Sequence, residues 1–183
     1  MPVLNSAMTP EQATQLIRND FTTLRKEAAT WADLGCGTGV FTKALASLLQ
    51  PGSTIYAIDR QTTIRDTGLQ TNGVAITPLQ LDFVADNIGV GLLDGILMAN
   101  SLHFAADKPA LLEKLAGLLR NDGCFIIAEY DTDMANPWVP YPVSFRSLRP
   151  LFKNAGFTCF EKLHEHPSVY GRANIYTVLI RRS

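Results

Sequence analysis

Cysteine is scarce and unpaired: Cys36, Cys124 and Cys159 are the only three, and none stands in a C-x-x-C pair. An odd count at wide spacing excludes a disulfide framework and a zinc site. The three thiols are therefore expected to be reduced, buried residues of a cytoplasmic protein, and no metal is expected. A dominant charge is lacking too, since 16 Lys and Arg stand against 17 Asp and Glu, a formal net charge of −1. The basic residues are scattered, and the one tight pair, Arg181-Arg182, reads as a solvated end. A polyanion partner needs a basic patch or stripe, so no nucleic-acid partner is expected. No apolar run reaches the length that crosses a bilayer, and residues 1–19 lack the charged start and apolar run of a signal peptide. No membrane partner is expected, and there is no internal repeat or low-complexity tract.

What remains is an ordinary globular composition, 46% hydrophobic and 18% charged over 183 residues. That length supports one well-buried core. Residues 1–183 read as a single domain, with an N-terminal helical segment over 1–29 and a core over 30–183.

Local signals divide the core into alternating elements. Thr9-Pro10-Glu11-Gln12 opens a helix, with Thr9 as N-cap, Pro10 in the first turn, Gln12 completing a capping box, and Leu16 and Ile17 on the apolar face. Residues 30–35 read as a strand. Phe41, Leu45, Leu48 and Leu49 follow at helical spacing until Pro51-Gly52. Residues 54–58 form a continuous apolar run, which suits a strand covered on both faces. A helix candidate spans 61–70, a third strand lies within 75–83, and 84–91 is too short for a full crossover helix. A fourth strand spans 92–99. Asp107 then caps a helix carrying Leu111, Leu112, Leu115, Leu118 and Leu119, with Gly123 just past its end. Strand five spans 125–129, and a polar, proline-rich stretch covers 131–142. A helix over 145–155 ends at Gly156, and strands over 157–163 and 175–180 are joined through 167–171. Alternating strands and helices predict an α/β fold. The expected architecture is a doubly wound, mostly parallel seven-stranded sheet with an antiparallel C-terminal hairpin strand.

In such a sheet, ligands bind at the carboxyl ends of the strands near the topological switch point. The first strand ends in Asp33-Leu34-Gly35-Cys36-Gly37-Thr38-Gly39. Three glycines at alternate positions let the chain turn sharply and bring its backbone against a ligand, and the next helix points its free N–H groups there. A dinucleotide fingerprint G-x-G-x-x-G would need glycine where Val40 stands, and a P-loop would need Lys followed by Ser or Thr where Val40-Phe41 stand. Asp33, an acid just ahead of the glycines, is ill placed beside a pyrophosphate and suits a cationic ligand group.

This segment resembles the first motif of the Rossmann-like S-adenosylmethionine-dependent methyltransferases. Further elements follow in step: Asp59 ends strand two, Leu81-Asp82-Phe83 ends strand three, and strand four runs from Leu93 into Asn100-Ser101-Leu102-His103. The resemblance covers residues 31–180. It implies S-adenosylmethionine as cofactor, with S-adenosylhomocysteine as product. It also implies that Asp33, Gly35, Cys36, Gly37 and Gly39 cradle the methionine end, that Asp59 stands at the ribose with Arg60 next to it among the cofactor-binding residues, and that Asp82 and Phe83 stand at the adenine. Ala99 and Asn100 pass the methionine part and the reacting methyl. His103 follows strand four where a methyl acceptor sits and is the candidate general base. Tyr130, Trp138 and Tyr141, after strand five, are the candidate acceptor wall alongside His103.

The blander readings are these. Cys36 is a small turn residue rather than a nucleophile, Asp94 is structural, and His164 and His166 with Glu161 and Glu165 form a solvated strand end. The short 84–91 connection and brief N-terminal segment suggest a compact enzyme with an open site. The expected activity is methylation of a small molecule by in-line displacement. Alternatives are methylation of protein or RNA, and a non-catalytic cofactor-binding module. Neither the acceptor nor the oligomeric state is legible.

Overall fold

The computed structural model describes residues 8–61, 64, 70–167 and 173–183. The elements are α1 (Pro10–Ile17), α2 (Asp20–Thr23), β1 (Thr30–Leu34), α3 (Val40–Ala46), β2 (Thr54–Asp59), β3 (Gln70–Thr71) and β4 (Val74–Gln80), then β5 (Leu93–Ala99), α4 (Lys108–Ala116), β6 (Leu119–Tyr130), α5 (Phe145–Asn154), β7 (Cys159–Pro167) and β8 (Asn174–Arg181). The strands form one sheet in the order β3-β4-β2-β1-β5-β6-β8-β7. The strands from β4 across to β6 are parallel, and β8 runs antiparallel between β6 and β7. The order reverses between β1 and β5, so their carboxyl ends open the crevice in which this architecture binds ligands.

Strand periodicity sorts the core into two layers. Ala32, Leu34, Ile96, Met98, Phe125, Ile127, Val178 and Ile180 face α4 and α5. Trp31, Ile55, Ala57, Leu97, Ile126 and Leu179 face α1 and α3. β5 is buried along its whole length, as its apolar run requires. The capping box of α1 is complete: Thr9 Oγ1 accepts the Gln12 N–H, and Gln12 Oε1 accepts the Thr9 N–H. Gly95 makes room for Trp31, because a β-carbon there would fall 2.4 Å from the indole ring. Gly95→Ala is expected to lower stability by about 1–3 kcal/mol through overpacking, read as a lower urea midpoint at unchanged slope.

Several boundaries differ from the sequence reading. The helix expected to end just before Gly123 stops at Ala116, with Gly117 as its C-cap. Leu118 and Leu119 leave the helix because β6 already starts at Leu119, paired with Leu93. The next pairing is Gly95 with Cys124, so residues 120–123 are fitted against Asp94 alone in an irregularity that sets Gly123 inside the strand. The sheet has an eighth strand, β3, because Asn72 (φ 54°) and Gly73 (φ 74°) make a two-residue reverse turn onto β4. Most of the helix candidate over 61–70 lies outside the described residues, as do 168–171 of the connection between the last two strands, and Gln70 belongs to β3. The connection between β4 and β5 is short and carries no helix, as expected.

Candidate active site

The turn after β1 is held from several sides. Gly35, Gly37 and Gly39 all have positive φ (79°, 50° and 80°). Gly35 also has no room for a side chain, since its β-carbon would lie 2.5 Å from Ser101 Cβ. Ser101 Oγ donates to the Leu34 carbonyl at 2.6 Å, which fastens the end of β5 to the start of the turn. The Gly35 and Cys36 N–H groups both donate to the Ile58 carbonyl of β2. Cys36 is buried in the α1–α3 layer, and Gly39 is the N-cap of α3.

Two carboxylates stand at the strand ends beside this turn. Asp59 Oδ2 accepts the Gly37 N–H at 2.9 Å and its Oδ1 accepts the Gln61 N–H at 2.9 Å, so this acid joins the turns after β1 and β2. Asp33 is buried, and its Oδ2 accepts the Thr42 hydroxyl at 2.6 Å. Burial pushes the Asp33 carboxyl up to about 7; the nearby Asp59 charge adds to this, and the Thr42 hydroxyl opposes it. Asp82, after β4, accepts the Val84 and Ala85 N–H groups with Oδ1, and its Oδ2 lies 3.9 Å from Arg60 Nη1. Phe83 is buried, with its ring edge toward Gly35.

Across the switch point, Ala99 ends β5 and Asn100 adopts a positive φ of 53°. A 3₁₀ turn over Leu102–Phe104 follows and carries His103. His103 is buried, and its Nδ1 lies 2.7 Å from Glu129 Oε2. Glu129 Oε1 accepts the His103 backbone N–H at 3.3 Å, so one carboxylate holds both ring and main chain. With Nδ1 engaged, Nε2 is the nitrogen left for a substrate. Glu129, on β6 and 1% exposed, was not among the residues singled out from sequence. Its only sequence signal is an acid directly after the apolar run from Phe125 to Ala128.

His103, Asn100 and Tyr130 line an open cavity of about 880 Å³ together with Thr132, Met134 and Trp138. The loop supplying that side is anchored to α5. Asp131 accepts the Phe145 N–H, and Asp133 accepts the Ser144 N–H and the Ser144 and Ser147 hydroxyls. Burial would raise the Asp133 carboxyl, but these bonds and the Arg146 charge hold it below its ordinary value. Tyr141 is absent from the cavity wall. Its N–H donates to the His103 carbonyl, its own carbonyl accepts Lys108 Nζ at 2.6 Å, and its ring lies by that ammonium. The structure thus brings together Asn100, His103, Tyr130 and Trp138, and leaves Tyr141 off the cavity wall.

A doubly wound sheet with a glycine turn after β1, acids at the next strand ends and a cavity across the switch point defines a Rossmann-like methyltransferase architecture. Residues 32–125 match the family model described as methyltransferase domain, and the chain belongs to that family. No curated protein matches it in sequence. Among solved structures it is similar to the Burkholderia thailandensis 1,6-didemethyltoxoflavin-N1-methyltransferase bound to 1,6-didemethyltoxoflavin and S-adenosylhomocysteine, at 19% identity and TM-score 0.71, over 95% of this chain and 78% of that one. It is similar to a SAM-dependent methyltransferase of Methanosarcina mazei at 14% identity and TM-score 0.65, over 86% and 94% of the two chains. It is also similar to human N-acetylserotonin methyltransferase in complex with SAM, at 21% identity and TM-score 0.65, over 93% and 51%. At these identities the likeness is one of fold. Among the described residues, no helix is long and apolar enough to cross a membrane, and no group of His, Cys, Asp or Glu is disposed to hold a metal ion.

Proposed function

We propose that this methyltransferase moves the methyl group of S-adenosylmethionine to a small molecule held in the His103 cavity. The observation that carries the reading is the meeting of the glycine turn and the cavity at the end of β5, where Ser101 is fastened to Leu34 and Asn100 and His103 line the cavity. The donor set suits the cofactor. The glycine turn admits close backbone approach, the Asp59 carboxylate has acceptor capacity for the ribose hydroxyls beyond its two backbone bonds, and Asp33 is an acid for the methionine ammonium. Asp82 and Phe83, at the end of β4, are the residues assigned to the adenine, with Arg60 of the cofactor set 3.9 Å from Asp82.

When bound, S-adenosylmethionine supplies a methyl on a sulfonium, an already activated electrophile whose departing bond electrons stay on sulfur. The chain's own work is positioning, exclusion of water and removal of one proton. His103 Nε2 accepts the proton of the acceptor's O–H or N–H, while Glu129 holds Nδ1–H and compensates the imidazolium formed. Asn100, His103, Tyr130 and Trp138 bind the acceptor.

Calorimetric titration with S-adenosylhomocysteine tests the cofactor reading; absence of heat with both it and S-adenosylmethionine sinks it. Its pH dependence carries a further signature. The Asp33 carboxyl, raised to about 7, is uncharged below that pH and charged above it. A raised acid binds its proton more tightly in the folded chain, so it costs stability as pH rises from 3.8 to about 7. A bound ammonium reverses that preference and pulls the carboxyl down. S-adenosylhomocysteine is therefore expected to bind roughly five- to tenfold more tightly per pH unit between about pH 5.5 and 6.5, levelling off near pH 7. Asp33→Asn is expected to flatten the slope. A flat wild-type profile would remove Asp33 from the ammonium site.

A further inference from the structure

Lys108 carries its charge in an unfavourable place. It is the first residue of α4, where the helix dipole disfavours a cation, and it is 9% exposed. Burial holds its ammonium below the ordinary lysine value, and the Glu129 charge opposes this. Filling the space of the stem would need only an apolar side chain of similar length. What the ammonium adds is two charge-assisted bonds. Nζ donates to the Ala105 carbonyl at 2.9 Å and to the Tyr141 carbonyl at 2.6 Å.

Those carbonyls belong to the two parts of the cavity. Ala105 closes the 3₁₀ turn that carries His103, through its N–H on the Leu102 carbonyl. Tyr141 is a root of the loop that supplies Thr132, Met134 and Trp138 to the wall, and its N–H donates to the His103 carbonyl at 3.0 Å. The bonds run in a ring, from His103 to Tyr141, to the Lys108 ammonium, to Ala105 and back through the turn. The tip of the loop is braced as well. Asn136 and Val139 exchange both backbone bonds, and Asn136 Oδ1 accepts the Trp138 N–H. A braced tip moves with its roots. One root is fixed to the start of α5 through Asp131 and Asp133. The other, Tyr141, is fixed to the turn that bears the base.

We propose that Lys108 is a positioning residue for methyl transfer, whose ammonium locks the Trp138 wall to the His103 turn and so sets the spacing between the surface that holds the acceptor and the base that meets it. The assignment rests on the methyl-transfer reading above. Lys108 acts through Tyr141 and Ala105 rather than on the reacting atoms.

The test uses the full chain labelled with 5-fluorotryptophan. Trp31 and Trp138 are its two tryptophans. Trp31, buried against Gly95, reports on the core, and Trp138 reports on the wall. Lys108→Met keeps the apolar stem and removes the donors. It is expected to move the Trp138 fluorine resonance and leave that of Trp31 in place. Hydrogen exchange at the Tyr141 N–H is expected to quicken roughly 10- to 100-fold. S-adenosylhomocysteine affinity, read by calorimetry, is expected to stay within about twofold of wild type, because the glycine turn lies outside the ring. Lys108→Arg restores a charged donor and is expected to slow the exchange again. Wild-type exchange and an unmoved Trp138 resonance in Lys108→Met would overturn the assignment. So would equal disturbance of Trp31 and Trp138, or an arginine variant no better than methionine. A wild type that gives no heat with S-adenosylhomocysteine would overturn the methyl-transfer reading and the role of Lys108 in it, whereas the other results overturn the lock alone.

Discussion

Asp59→Ala is expected to weaken S-adenosylhomocysteine binding by roughly 100-fold or more. Two ribose hydroxyls donating to one ionised carboxylate make charge-assisted hydrogen bonds, each contributing about 1.5–3 kcal/mol. Their joint loss spans at least two decades in affinity. The substitution acts a second time through the free protein. Asp59 also accepts the Gly37 and Gln61 N–H groups, and without it the glycine turn loses its tie to the end of β2. Asp59→Asn separates the two effects, because the amide oxygen can still accept one bond without the charge. Its expected loss is smaller than that of alanine. Thermal unfolding without ligand reads the turn alone, and titration reads turn and ribose together. An Asp59→Ala protein with wild-type affinity would refute the ribose assignment outright.

The parts of this molecule readable from sequence are those that local chemistry specifies. Thr9 with Gln12, and Asp107 ahead of α4, announce helix starts because a cap needs only its own neighbours. Continuous apolar runs announce β2 and β5 because strands covered on both faces tolerate nothing else. The glycine turn is legible for the same reason, since its positive φ values are a local demand. Most of the features that escaped depend on partners distant in sequence. Gly123 reads as a helix stop until β5 is seen to pair with Leu119 and again with Cys124. The Asn72-Gly73 turn is a local signal that the helix candidate before it obscured. Tyr141 reads as a site aromatic, and only the fold shows that its carbonyl and ring lie by Lys108 and off the cavity wall. Glu129 is the instructive case. Its role depends on β5 and β6 being neighbours, which sets Glu129, near the end of β6, against the turn that leaves β5.

That pairing leads to the second large effect. Glu129→Gln is expected to lower kcat roughly 100- to 10,000-fold with little change in the KM for S-adenosylmethionine. The glutamine has the same shape and can still hold the His103 backbone N–H. It lacks the negative charge that favours an Nδ1–H tautomer, which leaves Nε2 unprotonated, and that stabilises the imidazolium formed as the acceptor gives up its proton. His103→Ala removes the base itself and is expected to cost about as much, and the double variant no more than either alone, because two groups acting as one unit are not additive. The split between kcat and KM separates this from a folding defect, which would lower active protein without changing the rate per folded molecule. An acceptor that enters already deprotonated bypasses the dyad, so a phenolate-like substrate at raised pH should restore much of the lost rate in both variants. Wild-type turnover in Glu129→Gln would reduce the pair to a structural clamp, and methyl transfer here would then rest on positioning alone.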